Sequence, residues 1–268
     1  HLDAVICSHP DEDHCGGLSA VLASTRTDAF YCSVDSWHTK VFSDVTKYVA
    51  EQGISVTIPQ AGDTFAFSDA SVEFLGPVVD YGDDPNEGSL VARVRYGETS
   101  FLFTGDMGFE AEDDMLAAGV DVSATVLKVA HHGSAGSSST EFLQAVHPQY
   151  AVISVGADND YGHPTEAALN RLSACGIPVY RTDLLGEIIA VSDGKTVTIT
   201  SASNEAPPAS DAASQTAGSY GYVGNSSSKV VHLASCGKLP GESNRVYFAS
   251  LDEALAAGYR KHANCLGN

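Results

Sequence analysis

Six consecutive residues, His9-Pro10-Asp11-Glu12-Asp13-His14, constrain this chain more than any other stretch. They place His9, Asp11, Asp13 and His14, all able to ligate a metal, at the end of the apolar run Leu2-Asp3-Ala4-Val5-Ile6-Cys7. That run is short, β-branched and closed by a Ser-His-Pro turn, so it predicts a buried strand. Gly16-Gly17 and the apolar Leu18-Ser19-Ala20-Val21-Leu22 predict a helix start. A strand-to-helix turn can converge ligands on one point while the scaffold holds them rigid. The plainer alternative is an acidic solvated turn with two incidental histidines.

Alternate residues of an extended turn cannot all face one ion. Two neighbouring ions are the natural arrangement, His9 with Asp11 holding one and Asp13 with His14 the other. A hydrolytic site also needs an open position for water.

The remaining pattern alternates strand-like and helix-like segments over residues 2–200, which suits a layered α/β fold. Strands are expected at 29–34, 71–75, 89–96, 100–104, 124–130 and 150–155, with helices at 41–52, 109–118, 138–146 and 165–175. A closing hairpin is expected over 187–200. Residues 201–219 hold no aromatic, Leu, Ile, Val or basic residue, so they predict a linker. Aromatic and aliphatic residues resume at Tyr220, which predicts a second, small domain over 220–268.

Three further segments carry chemistry. Phe101-Leu102-Phe103-Thr104 runs into Gly105-Asp106; Leu127-Lys128-Val129-Ala130 runs into His131-His132-Gly133-Ser134; and Tyr161-Gly162-His163-Pro164 follows the strand at 150–155. With the first motif they resemble, in order and spacing, the metallo-β-lactamase superfamily. Asp11, where His is commoner, points to the branch with the β-lactamase-like domain of ComEC-type DNA-uptake proteins. The resemblance covers roughly residues 2–200.

The resemblance implies a four-layer αβ/βα sandwich with a β-hairpin region ahead of the first motif. The chain opens inside that motif strand, so the N-terminal strands and any targeting segment are expected to be missing. It further implies Asp106 as a bridging carboxylate and His163 as the terminal ligand. His132 is expected as a ligand or as the acid protonating the leaving oxygen, with His131 in support. Asn86 and Ser89 stand where most members carry another His; the chain has none between His38 and His131. Asn86, Ser89 and Ser134 are candidate substrate contacts, Ser134 also being a candidate helix cap. Asp13 and His132 are the candidate catalytic pair. An oxygen-rich set favours manganese over zinc.

Residues 220–268 pair His232 with Cys236 and His262 with Cys265, a pattern suited to one structural zinc. Tyr222 to His232, Asn244 to Phe248 and Glu253 to Tyr259 resemble an Ada-type metal-binding domain. His232 and His262 replace cysteines of that domain, so an alkylation-repair role is not implied. A Cys236–Cys265 disulfide is the alternative.

The net charge of −20 is unevenly spread: residues 1–219 carry 9 basic and 31 acidic side chains, residues 220–268 carry five and three. No basic footprint for nucleic acid exists on the large region. Phosphodiester hydrolysis stays open because divalent ions supply local positive charge. No run approaches the ~18–20 apolar residues of a membrane helix. The resemblance implies an extracytoplasmic or secreted phosphodiesterase or nuclease using a metal-bound hydroxide. The alternatives are a hydrolase of another small ester, amide or phosphorylated compound, and a non-catalytic metal-stabilised binding module.

Overall fold

The computed structural model describes residues 1–202, 222–233, 236, 238–241, 244–248 and 251–266. The first sheet holds β1 (Leu2–Cys7), β2 (Thr27–Cys32) and β3 (Val56–Thr57), all parallel, in the order β1-β2-β3. Between them run α1 (Glu12–Cys15), α2 (Leu18–Ser24) and α3 (Lys40–Glu51). Strand alternation sets the two faces. Phe30 and Cys32 point to the helices, where Phe42, Val45, Val49 and Leu22 bury them. Tyr31 points the other way and stacks on Phe65, ring centroids 5.2 Å apart.

Phe65 belongs to a seven-stranded sheet, the inner partner of the first. Its strands are β4 (Thr64–Phe67), β5 (Ala70–Gly76), β6 (Val91–Tyr96), β7 (Thr99–Phe103), β8 (Val126–Lys128), β9 (Tyr150–Ile153) and β10 (Val179–Arg181). They lie in simple sequential order, antiparallel from β4 to β7 and parallel from β7 to β10. Val72, Phe74, Leu90 and Ala92 face the first sheet. Leu102, Leu127, Ala151 and Ile153 face outward onto helices α4 (Phe109–Ala117), α5 (Thr140–Val146) and α6 (Glu166–Ala174). Helices, sheet, sheet, helices is the αβ/βα sandwich. After α7 (Thr182–Leu185) the region closes with the hairpin β11 (Ile188–Ser192) and β12 (Val197–Ser201).

Several boundaries differ from the sequence reading. The expected strand at 124–130 stops at Lys128, because His131 and His132 take left-handed backbone, φ 47° and 53°. The helix expected from 138 begins at Thr140, capped by the Ser139 side chain, which accepts from Phe142 N at 3.1 Å. Strands β3, β4 and β10 were not foreseen; all are four residues or fewer.

The expected linker lies, from residue 203 onward, outside the described residues. The small region forms a sheet in the order β15-β13-β14-β16, from β13 (Tyr222–Asn225), β14 (Val230–Leu233), β15 (Arg245–Phe248) and β16 (Arg260–Lys261). Helices α8 (Leu251–Ala256) and α9 (Ala263–Leu266) flank it. Its buried apolar cluster is Val231, Val246, Phe248, Ala254 and Tyr259. Among the described residues no helix is long and apolar enough to cross a membrane.

Candidate metal centre

The carboxyl ends of β1, β7, β8 and β9 deliver the motif residues to one edge of the sandwich. This is where an open α/β sheet presents ligands. The turn after β1 is anchored by Leu90 N donating to Ser8 O at 2.8 Å. Gly105 takes φ +53°, and a Cβ there would meet the Ser89 Cβ at 2.6 Å. Only glycine lets the β7 end pass close enough to carry Asp106 inward. His131 and His132 have no such freedom, and their left-handed backbone is strain of the kind held at functional sites.

Asp13, His14, Asp106 and His132 offer ligand atoms that all lie within 4.8 Å of one another. His14 Nε2 is 3.1 Å from His132 Nε2 and 3.2 Å from Asp106 Oδ1. His132 Nε2 is 3.2 Å from Asp13 Oδ2 and 3.4 Å from Asp106 Oδ2. The other ring nitrogen of His132 donates to Ser154 O at 2.7 Å, which leaves Nε2 with a lone pair aimed at the cluster. Ser8 Oγ lies 3.3 Å from His14 Nδ1 and 3.1 Å from His9 Nδ1, orienting both rings.

Beside this group stands His9, fully buried, its Nε2 without a hydrogen-bond partner and 3.9 Å from Asp11 Oδ2. His9 and Asp11, the pair expected to hold an ion of their own, thus lie next to one another outside the four-residue cluster. Burial, then the neighbouring His14, pushes His9 down to about 4, so it is a neutral donor. Burial alone would raise the Asp106 carboxyl; contacts with His132 and His14 overcome this and hold it well below the usual range. Asp106 Oδ1 nevertheless makes no aligned hydrogen bond. Orphaned buried donor atoms, two facing imidazole nitrogens and ionised carboxylates fit divalent cations and fit little else.

Two sequence expectations change. Ser89, a candidate substrate contact, is fully buried. Its hydroxyl accepts from Asp106 N at 3.0 Å and meets His9 Nδ1 at 3.2 Å, so it is placed to position two candidate ligand residues from behind the cluster. His132 joins the four-residue cluster, in the ligand role that was one of the two expected for it, whereas His163, the expected terminal ligand, does not. His163 stands outside it, its ring 5.7 Å from that of His131 and its Nδ1 buried without a partner. His131 Nε2 is 3.9 Å from Asp106 Oδ2, at the margin of the site. Ser134 accepts from Gly136 N at 3.3 Å within its own turn, and the Asn86 side-chain oxygen is buried without a partner. Glu87, unremarked in the sequence, accepts from Gly108 N and Ala111 N and so caps α4 behind Asp106. Ser8 was passed over because a serine before a His-Pro turn carries no ligand signal of its own.

A cleft of about 390 Å³ opens beside the cluster, lined by Asp13, His132, Ser154, Asn159, Tyr161 and His163 among others. The small region holds a second cluster: His232, Cys236, His262 and Cys265, with ligand atoms within 4.8 Å. Cys265 Sγ is 3.2 Å from His262 Nδ1 and accepts from Leu233 N at 3.4 Å. Both cysteines are free thiols, so the disulfide alternative is not the arrangement found.

Comparison with known proteins matches residues 1–157 to the metallo-β-lactamase superfamily model. Competence protein ComA of Neisseria gonorrhoeae is 37% identical over 188 residues, 70% of this chain and 25% of its own length. ComE operon protein 3 of Bacillus subtilis (strain 168) is 33% identical over 187 residues, 70% of this chain and 24% of its own. The chain therefore spans about a quarter of these relatives. Among solved structures, CmlA, a diiron β-hydroxylase from Streptomyces venezuelae, aligns with TM-score 0.46 and 17% identity over 67% of this chain and 43% of that one.

Proposed function

The chain belongs to the metallo-β-lactamase superfamily, and on that premise we propose that it is a metal-dependent phosphodiesterase acting on nucleic acid. The observation that carries this is the convergence of Asp13, His14, Asp106 and His132, beside His9 and Asp11, at the mouth of an open cleft. Structural sites are closed, whereas hydrolytic sites keep a position open to solvent. One relative, Competence protein ComA of Neisseria gonorrhoeae, bears a name tied to competence, which favours a polynucleotide substrate. The extracytoplasmic location implied by the sequence resemblance goes with that reading.

His14, His132, Asp13 and Asp106 would hold one divalent ion and His9, Asp11 and Asp106 its neighbour. Such ions supply a Lewis acid for the phosphoryl oxygens and acidify the attacking water. The protein's own residues do the rest. Ser8 and Ser89 orient the His9 and His14 rings, and the Ser154 carbonyl fixes the His132 tautomer. Asp13, with its side chain 63% exposed, is the carboxylate placed to take a proton from the incoming water. His163, on the cleft wall and outside the four-residue cluster, is the residue placed to give the leaving oxygen its proton. This takes the ligand role of the two expected for His132 and moves His163 from terminal ligand to acid. The His9 and Asp11 side is the richer in oxygen, and manganese suits it. In the small region the four His and Cys side chains would hold one structural zinc.

The net charge of −20 favours one rival reading, a hydrolase of a small ester or amide. The test is hydrolysis of linear DNA and of bis(p-nitrophenyl) phosphate by the full chain. Manganese should support both and magnesium less well, and chelation should abolish both. Cleavage of a simple ester or amide with no cleavage of either phosphodiester would select the rival. Undiminished activity in chelator on metal-free protein would overturn both.

A further inference from the structure

Tyr161 is 82% exposed, the most exposed of the large apolar side chains among the described residues. A single exposed aromatic is ordinary; this one is held in place beside the metal cluster. Asn159 ties its loop together with four hydrogen bonds. Asn159 Nδ2 donates to Gly156 O at 2.9 Å and to His163 O at 2.7 Å. Asn159 Oδ1 accepts from Tyr161 N at 3.2 Å and from His163 N at 3.0 Å. The Tyr161 ring lies 20° from the plane of the His163 ring, centroids 6.0 Å apart. Both rings line the same cleft as Asp13 and His132.

The charge of the large region removes the usual source of nucleic-acid affinity. With 9 basic against 31 acidic residues over 1–219, release of phosphate counterions can contribute little. Recognition then has to come from the metal ions and from the planar faces of the bases, which stack on aromatic rings without regard to sequence.

From this geometry we propose that Tyr161, backed by His163, is a stacking ledge for one unpaired nucleobase next to the phosphodiester being cleaved. Tyr161 is thus a specificity-determining residue, and the substrate class is single-stranded nucleic acid or a frayed end. A duplex keeps its bases stacked on each other and cannot offer a free face. The inference rests on the phosphodiester reading of the same site, and two measurements separate them.

The first is binding to the full chain with manganese, using deoxyadenosine 5′-monophosphate and deoxyribose 5-phosphate as probes. The native protein should bind the nucleotide at least about tenfold tighter, in the range of one stacked base. That ratio should fall towards one in Tyr161→Ala and persist in Tyr161→Phe. The variants remove an exposed ring, so the fold is not at stake. Equal affinity for the two probes in the native protein, no measurable nucleotide binding, or an undiminished ratio in Tyr161→Ala would overturn the ledge. The second is the kcat/KM ratio for a short single strand against its fully abasic counterpart, which should follow the binding ratio across the three proteins. A hydrolysis ratio that did not fall in Tyr161→Ala would also overturn the ledge. A binding ratio with no hydrolysis of either strand would overturn the phosphodiester reading and leave the ledge standing.

Discussion

The two candidate ligand clusters draw on overlapping residue types but sit in different settings. The cluster of Asp13, His14, Asp106 and His132 mixes oxygen with nitrogen and borders a cleft. It is assembled on a sandwich whose two helical flanks have their own large apolar cores. The cluster of His232, Cys236, His262 and Cys265 offers only nitrogen and sulfur, and among the described residues the buried apolar group beside it is five residues. A scaffold that stands without its ions can spend them on chemistry. A scaffold with little core needs its ion in order to fold.

Loss of the shared carboxylate should break the first half of that contrast most severely. Asp106→Asn keeps the shape and removes the charge that faces His14, His132 and His131. We expect at least a hundredfold loss of kcat/KM, more than the ~10–100-fold typical of supporting groups around a metal. Thermal unfolding of the large region should barely change. Turnover within a few-fold of native would remove Asp106 from the site.

A single chelator titration on the full chain addresses both halves. Hydrolysis should vanish while amides of residues 1–202 keep their hydrogen-exchange protection, and amides of 222–266 should lose theirs. Cys265→Ser should do the same to the small region with metal present, because it removes a thiolate that also accepts from Leu233 N. Retained protection in 222–266 under chelator would make that metal dispensable, and the contrast would collapse.

Much of this was legible before any coordinates. His9, Asp11, Asp13 and His14 stood out as candidate ligands because a turn after an apolar strand leaves few other uses for so many donors, while Asp106 was implied by the family resemblance; the fold brings Asp13, His14 and Asp106 together. The layered fold followed from alternating periods. What escaped depends on contacts across the chain. Ser89 is the example: a serine near a ligand position has the same sequence signature whether it meets substrate or, 17 residues away, Asp106 N. Sequence left His132 open between ligand and acid and gave His163 as the terminal ligand, because each follows a strand end. Only the left-handed turn at 131–132 and the Ser154 carbonyl decide which one turns inward. Strands β3 and β10 are two and three residues long, too short for any period to register.

Ser89→Ala sharpens the first site from behind. It removes an acceptor for Asp106 N and a partner for His9 Nδ1, in a fully buried position. A loss of about 10–100-fold in metal affinity or turnover is expected. A change in KM for substrate alone, with metal titration unaltered, would return Ser89 to substrate contact.

The smallest effect concerns how the sandwich stands without metal. Glu112 is fully buried; it accepts from Ser139 N at 2.7 Å and also from Ser138 N, at the start of α5. Arg171, also buried, donates to Ser138 O and Ser137 O, closing the same network. Burial raises the Glu112 carboxyl from its ordinary 4.5 to about 7, against the opposing pull of Ser139, Ser138 and Arg171. The folded state therefore holds this proton more tightly than the unfolded chain does. Its contribution to stability is full below pH about 4.5 and is lost as pH rises through about 7. Glu112→Gln cannot ionise, so it lacks this dependence, although it gives up an acceptor at every pH. The native protein should lose up to about 3 kcal/mol relative to the variant across that window. The measurement is the difference in unfolding free energy of residues 1–202 between about pH 5 and about pH 8, with chelator present throughout. Parallel curves for the two proteins would mean that Glu112 is ionised in the folded state at low pH. The Arg171 network would then hold a charge, and the metal-free stability of the sandwich would owe nothing to this proton.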